Sequence, residues 1–214
     1  MVAIVDCGSG NLRSVTRALE HAAAEGGIRA EVIVTHVPEQ VRAANRIVLP
    51  GQGAFASCLA GLNRVDGLRP ALEEAVRGQG KPFFGICVGM QLMADVGEEH
   101  GRYPGFGWIP GHVVPLRPSD PTLKIPHMGW NALEIVHDNP LLSGISNGDY
   151  VYFVHSYHVV PTDEAVVATR TMHGTQSFVS IIAQGNLFAT QFHPEKSQRV
   201  GLKLLENFAS LPVI

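Results

Sequence analysis

No run in this 214-residue chain approaches the roughly 20 consecutive apolar residues that a membrane-spanning helix needs. The opening MVAIVDCGSGN has no basic stretch ahead of its apolar residues and no cleavage pattern, so no leader is expected and the reading is cytoplasmic. Charge is sparse: Asp, Glu, Lys and Arg make up 16% of the chain, with a formal net charge of -3. The 16 Lys and Arg residues are scattered rather than striped, which argues against a nucleic-acid partner. Cysteine is scarce and odd in number; Cys7, Cys58 and Cys87 lie far apart without a paired zinc-ligand spacing. Neither a disulfide framework nor structural zinc is expected, so each thiol is either inert packing or chemistry. Repeats, low-complexity tracts and linkers are missing too. What is present, 45% hydrophobic residues, suffices for a sizeable core, and one domain over residues 1–214 is expected.

The first two-thirds alternates β-branched runs with amphipathic segments. VAIVD (2–6), EVIVTH (31–36), RIVLP (46–50) and PFFGIC (82–87) predict buried strands. Residues 11–24, 54–64, 68–79 and 88–96 predict helices. After Gly97 come shorter alternating runs, among them GHVVPLRP, NALEIVH, YVYFVHSYHVV, AVVATRT and FVSIIAQGNLFATQFH, broken by Pro, Gly and Asn-Gly signals. EKSQRVGLKLLENFASL predicts a last helix with Val200, Leu204, Leu205 and Phe208 as its apolar positions. The expected class is α/β: an open, mostly parallel central sheet flanked by helices, with additional antiparallel strands in the C-terminal half.

Three stretches carry candidate chemistry. Gly85 and Gly89 bracket Cys87 in GICVG, after a strand and before a helical segment. Small residues two positions either side let strand and helix approach around a strained turn that lifts a nucleophile out of the sheet. A following helix would lower the thiol pKa through its dipole. Cys87 is equally readable as a small core residue. In QFHPEKS, Pro194 stiffens the link so that His193 and Glu195 can face one site, base and orienting carboxylate; the same HPE is also an ordinary helix-start signal. LPGQGAF (49–55) follows a strand and can present backbone N–H groups to an anion, or simply turn into the next helix.

Together these stretches resemble the class I, or triad, glutamine amidotransferases, and the resemblance covers essentially the whole chain. DCGSGNLRSV, PGQGAF, GICVGMQLM, FVHSYH and QFHPEKS all have counterparts there. KIPHMGWN (124–131) narrows the likeness to the glutaminase subunits of imidazole glycerol phosphate synthases. That resemblance implies a flavodoxin-like core, a Cys87–His193–Glu195 triad, and an oxyanion site at Gly51, Gly53 and Val88. It implies a glutamine pocket lined by Gln91, His155, Ser156 and Tyr157, with no cofactor and no metal. It also implies a partner: a (β/α)8 cyclase subunit, in a heterodimer, that takes the ammonia and makes imidazole glycerol phosphate and aminoimidazole carboxamide ribotide in histidine biosynthesis. Asn11, Pro126, Met128, Trp130, Tyr152 and Lys196 would face it. Cys7 departs from the aromatic residue usual at its position, which would loosen packing near that face, and AAAEGGIRA (22–30) reads as a long surface loop.

Competing readings have specific weaknesses. GSGNLR after the first strand lacks the third glycine of a dinucleotide fingerprint, Arg13 standing there, and no acidic residue ends EVIVTH. His155 and His158 are three apart, so on one strand they would point to opposite faces, one lining a site and one exposed. KIPHMGWN argues against an amidotransferase subunit serving pyridoxal, anthranilate or carbamoyl phosphate chemistry. The presence of Cys87, His193 and Glu195 argues against an inactive binding module.

Overall fold

The structure, a computed structural model, describes residues 1–212. Its first half winds strands and helices in turn: β1 (Val2–Val5), α1 (Leu12–Glu25), β2 (Val32–Thr35), α2 (Pro38–Ala43), β3 (Arg46–Gly51), α3 (Phe55–Asn63), α4 (Leu68–Glu73) and β4 (Phe83–Cys87). There follow α5 (Val88–Gln91), β5 (Ala94–Gly97), β6 (Tyr103–Pro104), β7 (Ile109–Pro115), β8 (His127–Ala132) and β9 (Glu134–Ile135). The chain finishes with β10 (Tyr150–His155), β11 (Tyr157–Pro161), β12 (Val167–His173), β13 (Gln176–Gln184), β14 (Leu187–Thr190) and α6 (Gln198–Ser210).

Eight strands form the central sheet in the order β2-β1-β3-β4-β14-β13-β12-β9. The first five are parallel, and the antiparallel β13, β12 and β9 extend the far edge. Burial on both faces explains why β1, β4 and β14 read as unbroken apolar runs, every residue being buried. A ribbon of β10 and β8 and a smaller sheet β11-β7-β5-β6 complete the fold. This is the expected α/β class with its added C-terminal strands. Strand order reverses at β1, whose two neighbours are β2 and β3, the arrangement that opens a crevice beyond the carboxyl ends of the strands.

Several local expectations fail for physical reasons. The helix expected over 88–96 is one turn, Val88–Gln91, followed by β5. Residues 86–94 are buried throughout, so no polar face existed to give a period. The segment 68–79 breaks into α4 and a π-helical turn, Glu74–Gly78. Helix α2, with Pro38 in its first turn, was not foreseen. Of the supposed loop 22–30, residues 22–25 are the end of α1, with Ala22 and Ala23 buried, and the remainder is turn and irregular chain. YVYFVHSYHVV is two strands broken at Ser156, in different sheets. The period-two argument therefore does not run through it: His155 and His158 are both 5% exposed, and the expectation that one would be exposed is wrong.

Candidate active site

Strand β4 ends on Cys87, where the chain turns with φ 54 and ψ -107 into α5. A non-glycine residue in that conformation is strained, and here it marks the sharp reversal that aims Sγ out of the sheet. The flanking glycines are sterically required. A Cβ on Gly89 would lie 1.8 Å from the Leu49 carbonyl oxygen, and one on Gly85 would lie 2.8 Å from the Gly89 carbonyl. The expected dipole contribution shrinks, since a one-turn helix aligns few peptides; its free first-turn N–H groups remain.

His193 follows the end of β14 and is pinned on both sides. Its N–H donates to the Tyr152 carbonyl at 3.0 Å, and its carbonyl accepts from Ser197 Oγ at 2.7 Å. A 3₁₀ turn at Pro194–Lys196 brings Glu195 back, so that Oε1 accepts from His193 Nδ1 at 2.9 Å. The two side chains are only 6% and 1% exposed. Nε2 of His193 is buried with no hydrogen bond completed. Burial opposes charge on this ring, but the neighbouring Cys87 and the hydrogen bond to Glu195 outweigh it and raise the His193 pKa to about 9. The ring is thus a stronger base than a free imidazole, and a base so placed beside a thiol is the arrangement of an activated nucleophile.

A 260 Å³ cavity opens onto these groups. Gly53, Val88, Gln91, His155, Ser156 and Tyr157 line it together with Cys87 and His193. Gly53, at φ +86, turns the loop after β3. Gly51 does not reach the cavity. It pairs with Cys87 in the β3–β4 register, and a Cβ there would strike Gly89 N and Val88 at 2.8 Å, so its smallness serves close packing.

Two neighbours went unrecognised in the sequence. Gln191, fully buried, donates from Nε2 to Cys87 Sγ at 3.7 Å and accepts from Gln91 Nε2 at 3.2 Å. Its place two residues before His193 in an extended run was the available signal. Glu99 lines the cavity while accepting from Phe55 N–H at 2.7 Å, at the start of α3.

The side chains expected to face a partner divide. Trp130 pairs across the ribbon with Tyr152, their rings 5.9 Å apart and steeply inclined at 72°; Lys196 Nζ stands 5.9 Å from the Tyr152 ring. Met128 and Trp130 are 63% and 45% exposed, a cluster of large apolar groups at the surface. Pro126 is exposed and borders the cavity. Asn11, also exposed, caps α1 by accepting from Ser14 N–H at 3.4 Å.

Residues 3–210 match the family model for class-I glutamine amidotransferases. The chain belongs to that family. It is 54% identical over 208 residues to the imidazole glycerol phosphate synthase subunit HisH of Rhodospirillum rubrum, with 97% of both chains covered. It is 52% identical over 210 residues to the HisH subunit of Agrobacterium fabrum, again over 97% of both. Among solved structures, one described as a glutamine amidotransferase superposes with a TM-score of 0.71 at 19% identity, covering 98% of this chain and 99% of the other. The glutaminase domain of Trypanosoma brucei CTPS superposes with a TM-score of 0.64 at 17% identity, over 100% of this chain and 95% of that one; at such identity the likeness is one of fold.

In this amidotransferase the two remaining cysteines do not line the cavity, although Cys58 Sγ donates at 3.7 Å to the carbonyl of Gln52, which does. Cys7 and Cys58 stand with their sulfurs 3.8 Å apart, a contact that draws the Cys7 thiol down to about 6 against the effect of burial and pushes Cys58 up. Cys7 is 2% exposed, and a Cβ on Gly61 would lie 1.6 Å from its carbonyl oxygen. No helix among the described residues is long and apolar enough to cross a membrane.

Proposed function

We propose that this amidotransferase is the glutaminase subunit of an imidazole glycerol phosphate synthase, acting in the cytoplasm as one domain spanning 1–214. The observation that carries the chemistry is the meeting of Cys87, on its strained turn, with the buried His193–Glu195 pair at a cavity of amino-acid size. Cys87 as thiolate attacks the side-chain amide carbon of glutamine. Negative charge moves onto the amide oxygen, where N–H groups of Val88 and the Gly53 loop stabilise it. The protonated His193 gives its proton to the leaving nitrogen, and ammonia departs from a glutamyl thioester. His193, now neutral, takes a proton from water as the water attacks. The thioester opens to glutamate, and the thiolate–imidazolium pair returns. Glu195 keeps the ring oriented throughout. Gln91, His155, Ser156 and Tyr157 form the pocket wall, and Gly51, lacking a side chain, lets β3 pack against Val88 and Gly89.

Support for the pathway comes from the relatives that share about half of this sequence over nearly their whole length. Support for a cyclase partner comes from the exposed Met128 and Trp130 with the adjoining Tyr152 and Lys196 beside the site, with Pro126 at the cavity border and Asn11 at the start of α1. Cys87→Ala should abolish glutamine-dependent turnover by the complex and leave synthesis from ammonium salts intact. Retained hydrolysis of glutamine would overturn the assignment.

A further inference from the structure

Behind the pocket wall, polar groups form a hydrogen-bonded chain whose direction is fixed at both ends. At one end, the Asn131 amide is oriented by its own neighbours. Its Oδ1 accepts from Ala132 N–H at 2.8 Å and its Nδ2 donates to the Met172 carbonyl at 2.8 Å. The second Nδ2 hydrogen faces His127 Nε2 at 3.2 Å, so that nitrogen must be an acceptor. Neutral His127 then carries its proton on Nδ1, which stands 3.1 Å from His155 Nε2. At the other end, His155 Nδ1 lies 2.9 Å from the Tyr157 carbonyl, which can only accept. His155 is therefore also the Nδ1–H tautomer, and its Nε2 is free to accept from His127. The two ends demand the same assignment.

Burial supports neutrality. It lowers His155 to about 3 and His127 to about 4, with further lowering of both by the nearby His173. His127 is enclosed between the Phe153 ring, stacked at 4.9 Å, and the His173 ring at 4.3 Å. Both nitrogens of His155 are committed to protein, so its imidazole holds the pocket wall rather than the ligand. The Tyr157 carbonyl it grips also accepts from Gln91 Nε2 at 3.1 Å. Gln91 in turn donates to Gln191, whose amide reaches Cys87 Sγ. A continuous path of hydrogen bonds thus joins β8, the strand that carries the exposed Met128 and Trp130, to the nucleophile.

We propose that Asn131 and His127 are positioning residues for glutamine: they lock His155 as the neutral Nδ1–H tautomer and thereby fix the Tyr157 carbonyl and Gln91. This rests on the glutaminase reading above for its substrate, but its first test does not. Nitrogen-15 imidazole NMR on the full chain at neutral pH should show His127 and His155 both as Nδ1–H tautomers, the less common form in solution. Either ring found protonated or as Nε2–H overturns the proposal whatever the enzyme does.

The second test separates positioning from packing. Asn131→Asp keeps the shape but offers His127 Nε2 and the Met172 carbonyl only acceptors, so His127 takes a proton on Nε2 and the neutral Nδ1–H form is lost. Asn131→Ala removes the donor to both and the acceptor for Ala132 N–H, but leaves His127 free to keep its proton on Nδ1. In the complex with the cyclase, Asn131→Asp should shift the His127 nitrogen-15 signals to an Nε2-protonated form and raise KM for glutamine roughly tenfold or more, exceeding its effect on kcat. A purely structural role would lower the urea midpoint without moving KM, and an unchanged KM, or His127 still neutral with Nδ1–H in Asn131→Asp, sinks the idea. Wild-type glutaminase activity in the same assay separates this failure from failure of the underlying assignment.

Discussion

At the scale of single residues, the site depends on atoms that are absent as much as on those present. Gly89 has no side chain because the Leu49 carbonyl occupies the space. Gly89→Ala should therefore cost ~2 kcal/mol or more, read as a lower urea midpoint, whereas Gly78→Ala, whose Cβ would meet nothing within 4 Å, should be neutral. Equal effects would mean the elbow is looser than its geometry. The G-x-C-x-G spacing made this requirement legible as one of two readings, the other being a small core residue. Gln191 was far less so: apart from its place two residues before His193, a buried glutamine reads like any polar residue until its hydrogen bonds to Gln91 and Cys87 are seen.

At the scale of elements, strand β8 has a divided character. His127 faces inward to the buried histidine chain, while Met128 and Trp130 are open to solvent. Trp130 makes its edge-on contact with Tyr152 and remains 45% exposed, so little fold stability is tied to it. Trp130→Ala should leave the unfolding midpoint within error yet weaken binding to the cyclase ~30-fold, because interface tryptophans commonly carry ~2 kcal/mol. Titration calorimetry of the two subunits would measure this; unchanged affinity would make Trp130 a surface residue without a partner role. The one-turn α5 shows the opposite case. Its sequence predicts a longer helix, but β5 gains its partners only when Ala94 meets Ile109 of β7, a pairing that local periodicity cannot register.

For the whole molecule, histidine burial sets the pH response. His127, His155 and His158 are held by burial at about 4, 3 and 4, while in the unfolded chain they titrate near 6.5. Between those limits the unfolded state binds more protons, so their contribution to stability is full above ~6.5 and lost as pH falls through about 4. His193 runs the other way. Raised to about 9, its contribution is full below ~6.5 and lost as pH rises through about 9. Urea midpoints measured from pH 4 to 9 should peak near neutrality and fall towards both ends; a flat profile from pH 7 down to 4.5 would show these rings to be solvated. By itself the sequence determined the parallel α/β core, because strands buried on both faces must be continuously apolar; its glycine and proline spacings made Cys87, His193 and Glu195 candidates, and the family resemblance joined them into a triad. Only the tertiary structure decided that His155 and His158 are both buried, that Gly51 stands behind the cavity, and that Asn131 and His127 reach the pocket wall. Those facts depend on contacts between strands far apart in the chain, which no local pattern encodes.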